Sequence, residues 1–121
     1  MQPSNGVGAK TDLHGVVVPM VTPLTSRGEI DQDGVSRLIS FLIEGGVHGI
    51  FVLGSTGEFI SLPWERHQEL IACAVRAVRG RVPVCAGVSS NCLEEVSRRT
   101  VAAAELGADL GVVLPPHYFR F

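Results

Sequence analysis

Apolar positions along the chain alternate between two patterns. Val16, Val17 and Val18 form a short β-branched run stopped by Pro19, which predicts a strand that ends in the Thr22-Pro23 loop. From Asp31 to Glu44 the apolar residues are Val35, Leu38, Ile39, Leu42 and Ile43, a spacing that lines one face of a helix. Asp31 and Asp33 suit the start of this helix and Gly45-Gly46 its end. The run from His48 to Gly54 is almost continuously apolar, as expected of a strand covered on both faces. The cycle then repeats. Ser61 and Pro63 are expected to open a second helix with Trp64, Ile71, Val75 and Val78 on one stripe and Arg76, Arg79 and Arg81 near its end. Val82–Val88 reads as a third strand. Asn91 and Glu94 resemble a capping box before a third helix carrying Leu93, Val96, Thr100 and Ala104, with Glu94/Arg98 and Glu95/Arg99 paired along it. Leu110–Leu114 is the fourth strand.

The strands start near residues 16, 49, 82 and 109, a period that fits a repeated strand–helix unit. Such alternation implies an α/β fold with parallel pairing and right-handed crossovers. An open doubly wound sheet and part of a closed (β/α)8 barrel both satisfy it. A dinucleotide-binding reading is disfavoured, because Gly54-Ser-Thr-Gly57 follows the second strand and no G-x-G-x-x-G occurs. Residues 1–12 carry no apolar periodicity and read as a flexible leader, leaving 13–121 as the domain.

Composition narrows the function. Ten Lys and Arg against 12 Asp and Glu give a formal charge of −2, which leaves no excess of cations for a nucleic-acid partner. No run approaches the ~18 apolar residues of a membrane span, so neither a membrane nor a secretory route is expected and the protein reads as cytoplasmic. Cys73, Cys85 and Cys92 are odd in number and lack metal-ligand spacing, which predicts reduced thiols rather than disulfides or zinc. Nine of the ten cations are arginine, and the only lysine is Lys10.

In parallel α/β folds, ligands bind beyond the carboxyl ends of the strands. Those ends are Thr22-Pro23, Gly54–Glu58, Gly87–Asn91 and Pro115–Tyr118. In GSTGE, two glycines bracket two hydroxyls, an arrangement able to present backbone N–H groups and the Ser55 and Thr56 hydroxyls to one carboxylate or phosphate. The same hydroxyls also suit a turn that satisfies its own backbone. His117-Tyr118 offers a proton-transfer group or a packing aromatic, and Glu58 an acid or a helix-start carboxylate. Trp64 reads as core. His14, His48 and His67 show no ligand pattern, and no cofactor is expected.

Taken in order, Gly15-Val-Val-Val-Pro-Met-Val-Thr-Pro-Leu24, Gly28-x-Ile30-Asp31, Gly46-Val-x-Gly-Ile50, Gly54-Ser-Thr-Gly-Glu58, Glu65-Arg66, Val82-Pro-Val-x-Ala-Gly87 and Gly107-Ala-Asp109 resemble the dihydrodipicolinate synthase/N-acetylneuraminate lyase family across residues 13–121. The resemblance implies a (β/α)8 TIM barrel, of which this chain would be the amino-terminal half. It also implies a lyase of class I aldolase type, in which pyruvate or another 2-oxo acid forms an imine with a lysine of the sixth strand and is joined to or cleaved from an aldehyde. Ser55 and Thr56 match the hydroxyl pair that holds the substrate carboxylate, Ser55 also serving a proton relay. Tyr118 matches the tyrosine that completes that relay in a neighbouring subunit's site, in a homotetramer built as a dimer of dimers. Pro115-Pro116-His117-Tyr118 departs from the family's Thr-Pro-Tyr-Tyr. The fifth-strand tyrosine, the sixth-strand lysine and the glycine-rich segment after it have no counterpart, and Lys10 precedes the first strand. The chain is therefore expected to be part of a longer enzyme and inactive alone. The alternative is a non-catalytic half-barrel that binds small carboxylates or pairs with another chain.

Overall fold

The computed structural model describes residues 12–116. Seven regular elements alternate as the periodicity predicts: β1 (Val17–Pro19), α1 (Gln32–Glu44), β2 (Gly49–Val52), α2 (Trp64–Val78), β3 (Val84–Gly87), α3 (Leu93–Glu105) and β4 (Leu110–Val112). The strands form one parallel sheet in the order β1-β2-β3-β4. Registered partners in a parallel sheet point to the same side. Ile50 pairs with Val84 and Val52 with Ala86, so these four side chains share the face that the helices cover, and all are at most 2% exposed. They pack with Val35 and Ile39 of α1 and with Leu70, Ile71, Ala74 and Val78 of α2. Burying each of the larger aliphatic side chains contributes about 1.5–3 kcal/mol. Val17, Pro19, Phe51, Leu110 and Val112 belong to the opposite face and remain half-buried or exposed. The helices thus cover the central strands on one side, while the opposite side is open apart from the buried Cys85.

Side chains close the elements where backbone partners run out. Asp31 caps α1 by accepting from the Gly34 N–H at 3.0 Å, and Gly46 follows the helix with φ +90°. At the end of α2, Arg81 donates from Nε to the Val78 carbonyl and from Nη2 to the Ala77 carbonyl, both at 2.8 Å, so this one of the cations gathered there caps the helix. His48 Nδ1 accepts the Val16 N–H at 2.9 Å, and Asp109 accepts the Val84 N–H at 2.8 Å, tying down the amino ends of neighbouring strands.

Two helix starts differ from expectation. Phe59–Ser61 forms a 3-10 turn, and Leu62 is extended at φ −107°, ψ 135°. A residue before proline is driven to that conformation, so α2 begins at Trp64 with Pro63 just outside it, and Ser61 does not open the helix. At α3 the Asn91/Glu94 capping box does not form. The Ser90 hydroxyl instead accepts the Cys92 N–H at 3.2 Å, Cys92 becomes the cap position, and the helix starts at Leu93. The face of α3 turns with that shift. Leu93, Thr100 and Ala104 are exposed, whereas Ala103 is buried and Val96 half-buried. The expected acidic–basic pairs are present, with Glu95–Arg99 at 3.6 Å and Glu94–Arg98 at 4.0 Å. Trp64 is half-buried rather than core, and the Arg99 guanidinium lies 5.2 Å from its ring centroid.

Candidate functional site

The chain leaves β2 through a left-handed turn. Leu53 has φ +65°, a conformation that costs a branched residue about 1–2 kcal/mol, and its side chain is held at 1% exposure. Two glycines accept the resulting backbone path. Gly87, at the end of β3, has no Cβ because the Leu53 carbonyl oxygen occupies the place one would take. A Cβ on Gly57 would lie 3.1 Å from the Leu53 nitrogen and 3.2 Å from the Met20 oxygen. The buried Thr22 hydroxyl, on the chain leaving β1, donates to the Gly57 carbonyl at 2.6 Å. The exits of β1, β2 and β3 are therefore locked to one another around the GSTGE loop.

Two backbone bonds close that loop. The Glu58 N–H donates to the Ser55 carbonyl at 3.0 Å and the Phe59 N–H to the Gly54 carbonyl at 3.4 Å, with Glu58 at φ +59°. Gly54 and Gly57 are buried while Ser55 and Thr56 are exposed. Among the described residues neither hydroxyl has a hydrogen-bond partner. The turn is thus closed by backbone groups rather than by the Ser55 and Thr56 side chains. Glu58 is exposed and provides no side-chain cap to the 3-10 turn. Tyr118, His117, Lys10 and all of the expected leader except Asp12 lie outside the described residues.

The loop rests on a polar layer that the sequence reading left unassigned. His67 is 2% exposed, and its Nε2 lies 2.9 Å from the Phe59 carbonyl. A carbonyl only accepts, so Nε2 carries the proton. Burial holds this imidazole below its usual pKa and the Arg99 charge pushes the same way, against the Phe59 and Leu62 carbonyls. Arg99 Nη1 donates to the Ser89 carbonyl at 2.8 Å. The Ser89 hydroxyl accepts the Leu114 N–H at 2.9 Å. Burial also pushes the Cys73 and Cys85 thiols up, so neither is a ready nucleophile, while Cys92 is free and exposed.

The neutral state of His67 has a consequence for stability. With its folded pKa lowered, only the unfolded chain takes up a proton as the pH falls below about 6.5. The stability that His67 provides is whole above that value and is lost between it and the lowered folded value. Acidification from pH 8 to pH 5 is expected to reduce the urea midpoint more in the wild type than in His67→Gln, which keeps an N–H donor and does not titrate. Equal reductions would refute this.

Among the described residues no helix is long and apolar enough to cross a membrane. The sequence profile of the Dihydrodipicolinate synthetase family matches residues 12–121. The 4-hydroxy-tetrahydrodipicolinate synthase of Methanoculleus marisnigri is 42% identical over 108 residues, covering 88% of this chain and 37% of that protein. The crystal structure of dihydrodipicolinate synthase from Aquifex aeolicus superposes with a TM-score of 0.84 at 37% identity, over 88% of this chain and 36% of that one. A prophage protein of the dihydrodipicolinic acid synthase family from E. coli K12, solved in complex with pyruvate, gives 0.85 at 36% identity, over 88% and 36%. The chain spans little more than a third of the length of the relatives it matches, and its four parallel strands are the amino-terminal part of their TIM barrel. With a profile match over nearly its whole length and the same strand and loop arrangement, the chain belongs to the dihydrodipicolinate synthetase family.

Proposed function

We propose that the whole protein is a lyase of aldolase type that joins pyruvate to, or cleaves it from, an aldehyde through a lysine imine, and that these 121 residues carry its carboxylate-holding loop. The observation that carries the reading is the pair of exposed hydroxyls, Ser55 and Thr56, which have no partner among the described residues and sit on a loop held by Thr22, Gly57 and Gly87. Rigidly held donors hold an anion well, because little ordering remains to be done on binding. In this reading Ser55 and Thr56 donate to the carboxylate of the 2-oxo acid, and Ser55 also passes a proton to and from Tyr118. Tyr118 comes from a neighbouring subunit of a homotetramer. A buried lysine outside this chain, its pKa lowered by desolvation, attacks the keto carbon and releases water. The imine then accepts the electron pair of the carbon–carbon bond that is made or broken. No cofactor takes part.

Borohydride reduction in the presence of pyruvate tests this, since it converts an imine into a stable secondary amine. The whole protein is expected to be labelled on a lysine outside the present sequence. The 121-residue chain, with Lys10 alone, is expected to stay unlabelled. Absence of label on the whole protein, or label on Lys10, would overturn the proposal.

A further inference from the structure

The same two-bond clasp joins the amino ends of neighbouring strands at both outer joints of the sheet. Immediately before β4, the Asp109 N–H donates to the Val84 carbonyl at 2.9 Å, and the Asp109 carboxylate accepts the Val84 N–H at 2.8 Å. Immediately before β2, the His48 N–H donates to the Val16 carbonyl at 2.8 Å, and His48 Nδ1 accepts the Val16 N–H at 2.9 Å. The clasps differ in the chemistry of the acceptor. A carboxylate ordinarily accepts throughout the range from pH 8 to pH 5, whereas an imidazole accepts at a ring nitrogen only while it is neutral. With Nδ1 accepting, the proton of the neutral ring is on Nε2, so a second proton can enter only at Nδ1. The bond to Val16 and a charged His48 are therefore mutually exclusive.

Among the described residues, the titratable groups facing His48 lie on the segment that enters β1. His14 stacks on it with ring centroids 4.9 Å apart, and the Asp12 carboxylate lies 3.5 Å from His14 Nδ1. The carboxylate is thus set against His14, and a charge on His48 would face a second imidazole. Gly15 lets this segment lie flat on the ring: its φ is +67°, and a Cβ there would fall on the His48 imidazole. We propose that the Val16–His48 clasp is a pH-sensitive latch on the amino end of β1, closed while His48 is neutral and opened by its protonation, while the Asp109 clasp stays shut. Opening frees residues 13–16 from the entrance of β2, where Leu13 lies over Gly49. The far end of β1 keeps its own bonds, from the Met20 N–H to the Phe51 carbonyl at 3.0 Å and from Thr22 to Gly57, so the release stays local.

Amide hydrogen exchange of the whole protein, expressed as protection factors, tests the latch. From pH 8 to pH 5, protection at the Val16 amide is expected to fall at least about tenfold more than at the Val84 amide. Any loss of global stability through His67 reaches both amides, so their ratio reports the latch. His48→Asp copies the acceptor of the other clasp and is expected to hold that ratio constant within about twofold over the same range. His14→Gln is expected to leave the wild-type fall in place. A parallel fall at Val16 and Val84 in the wild type overturns the proposal without recourse to any variant. A fall that persists in His48→Asp also overturns it, as does one that His14→Gln abolishes, since His14 would then be the titrating group.

Discussion

Replacing Gly87 with alanine is expected to destabilise the protein by at least about 3 kcal/mol, more than other glycine-to-alanine changes in the sheet. The added methyl would fall on the Leu53 carbonyl oxygen. Backbone cannot rotate away as a side-chain tip does, so either β3 or the β2 exit must move. Leu53 is already in the left-handed region and buried, and the chain beyond it is held by Thr22 through Gly57, which leaves the exit little room to yield. Gly111 supplies the control. A Cβ there would sit 3.5 Å from a Val88 methyl and 3.9 Å from a Thr100 methyl, both ordinary contacts, and its φ is not positive. Gly111→Ala is expected to lie within about 1 kcal/mol of wild type, with a small gain possible because alanine reduces the freedom of the unfolded chain. Urea midpoints of the two variants provide the comparison. Similar midpoints would show that the Leu53 turn relaxes freely and would remove the basis for a rigid GSTGE loop.

That pair of glycines illustrates what could be read from the sequence and what could not. The alternation of apolar runs and helical stripes identified all four strands and all three helices, because burial imposes those periods directly. It did not reveal the positive φ of Leu53, since leucine has no preference that marks such a turn. Without Leu53, the need for glycine at 87 is invisible: the collision joins residues 34 positions apart and exists only once β2 and β3 are side by side. The helix starts failed for a related reason. Ser61 and Asn91 are good caps by residue type, but Pro63 forces Leu62 to extend, and the Ser90 hydroxyl takes the N–H that sets the start of α3 one residue later. His67 and Ser89 were legible only as residues, not as roles. A lone histidine on an apolar stripe and a serine in a serine pair carry no signal until Phe59, Arg99 and Leu114 are brought against them. Ser55 and Thr56 stand out as candidates because the whole motif, two glycines bracketing two hydroxyls at a strand exit, is local in sequence.

Ser55→Ala in the whole protein is expected to lower kcat by about 10²–10³-fold while leaving stability within about 0.5 kcal/mol of wild type. The two halves of this expectation have separate causes. Ser55 is exposed and its hydroxyl has no partner among the described residues, so folding loses nothing when the oxygen is removed. Catalysis, in the proposed reading, loses both a donor to the substrate carboxylate and a member of the proton relay. Thr56→Val removes only the first of these, so it is expected to raise the KM for pyruvate with a smaller change in kcat. Thr22→Val, nearly isosteric, provides the contrasting case. It deletes the buried bond to the Gly57 carbonyl and leaves that acceptor unpaired, at a cost of about 1–3 kcal/mol, and it loosens the loop that carries both hydroxyls. Its effect is expected in stability and activity together. If Ser55→Ala retains wild-type turnover, the hydroxyl is a surface group and the relay must run elsewhere. If instead Ser55→Ala loses stability as Thr22→Val does, the hydroxyl supports the loop itself, and the division between a fixed frame and a free pair of donors is wrong.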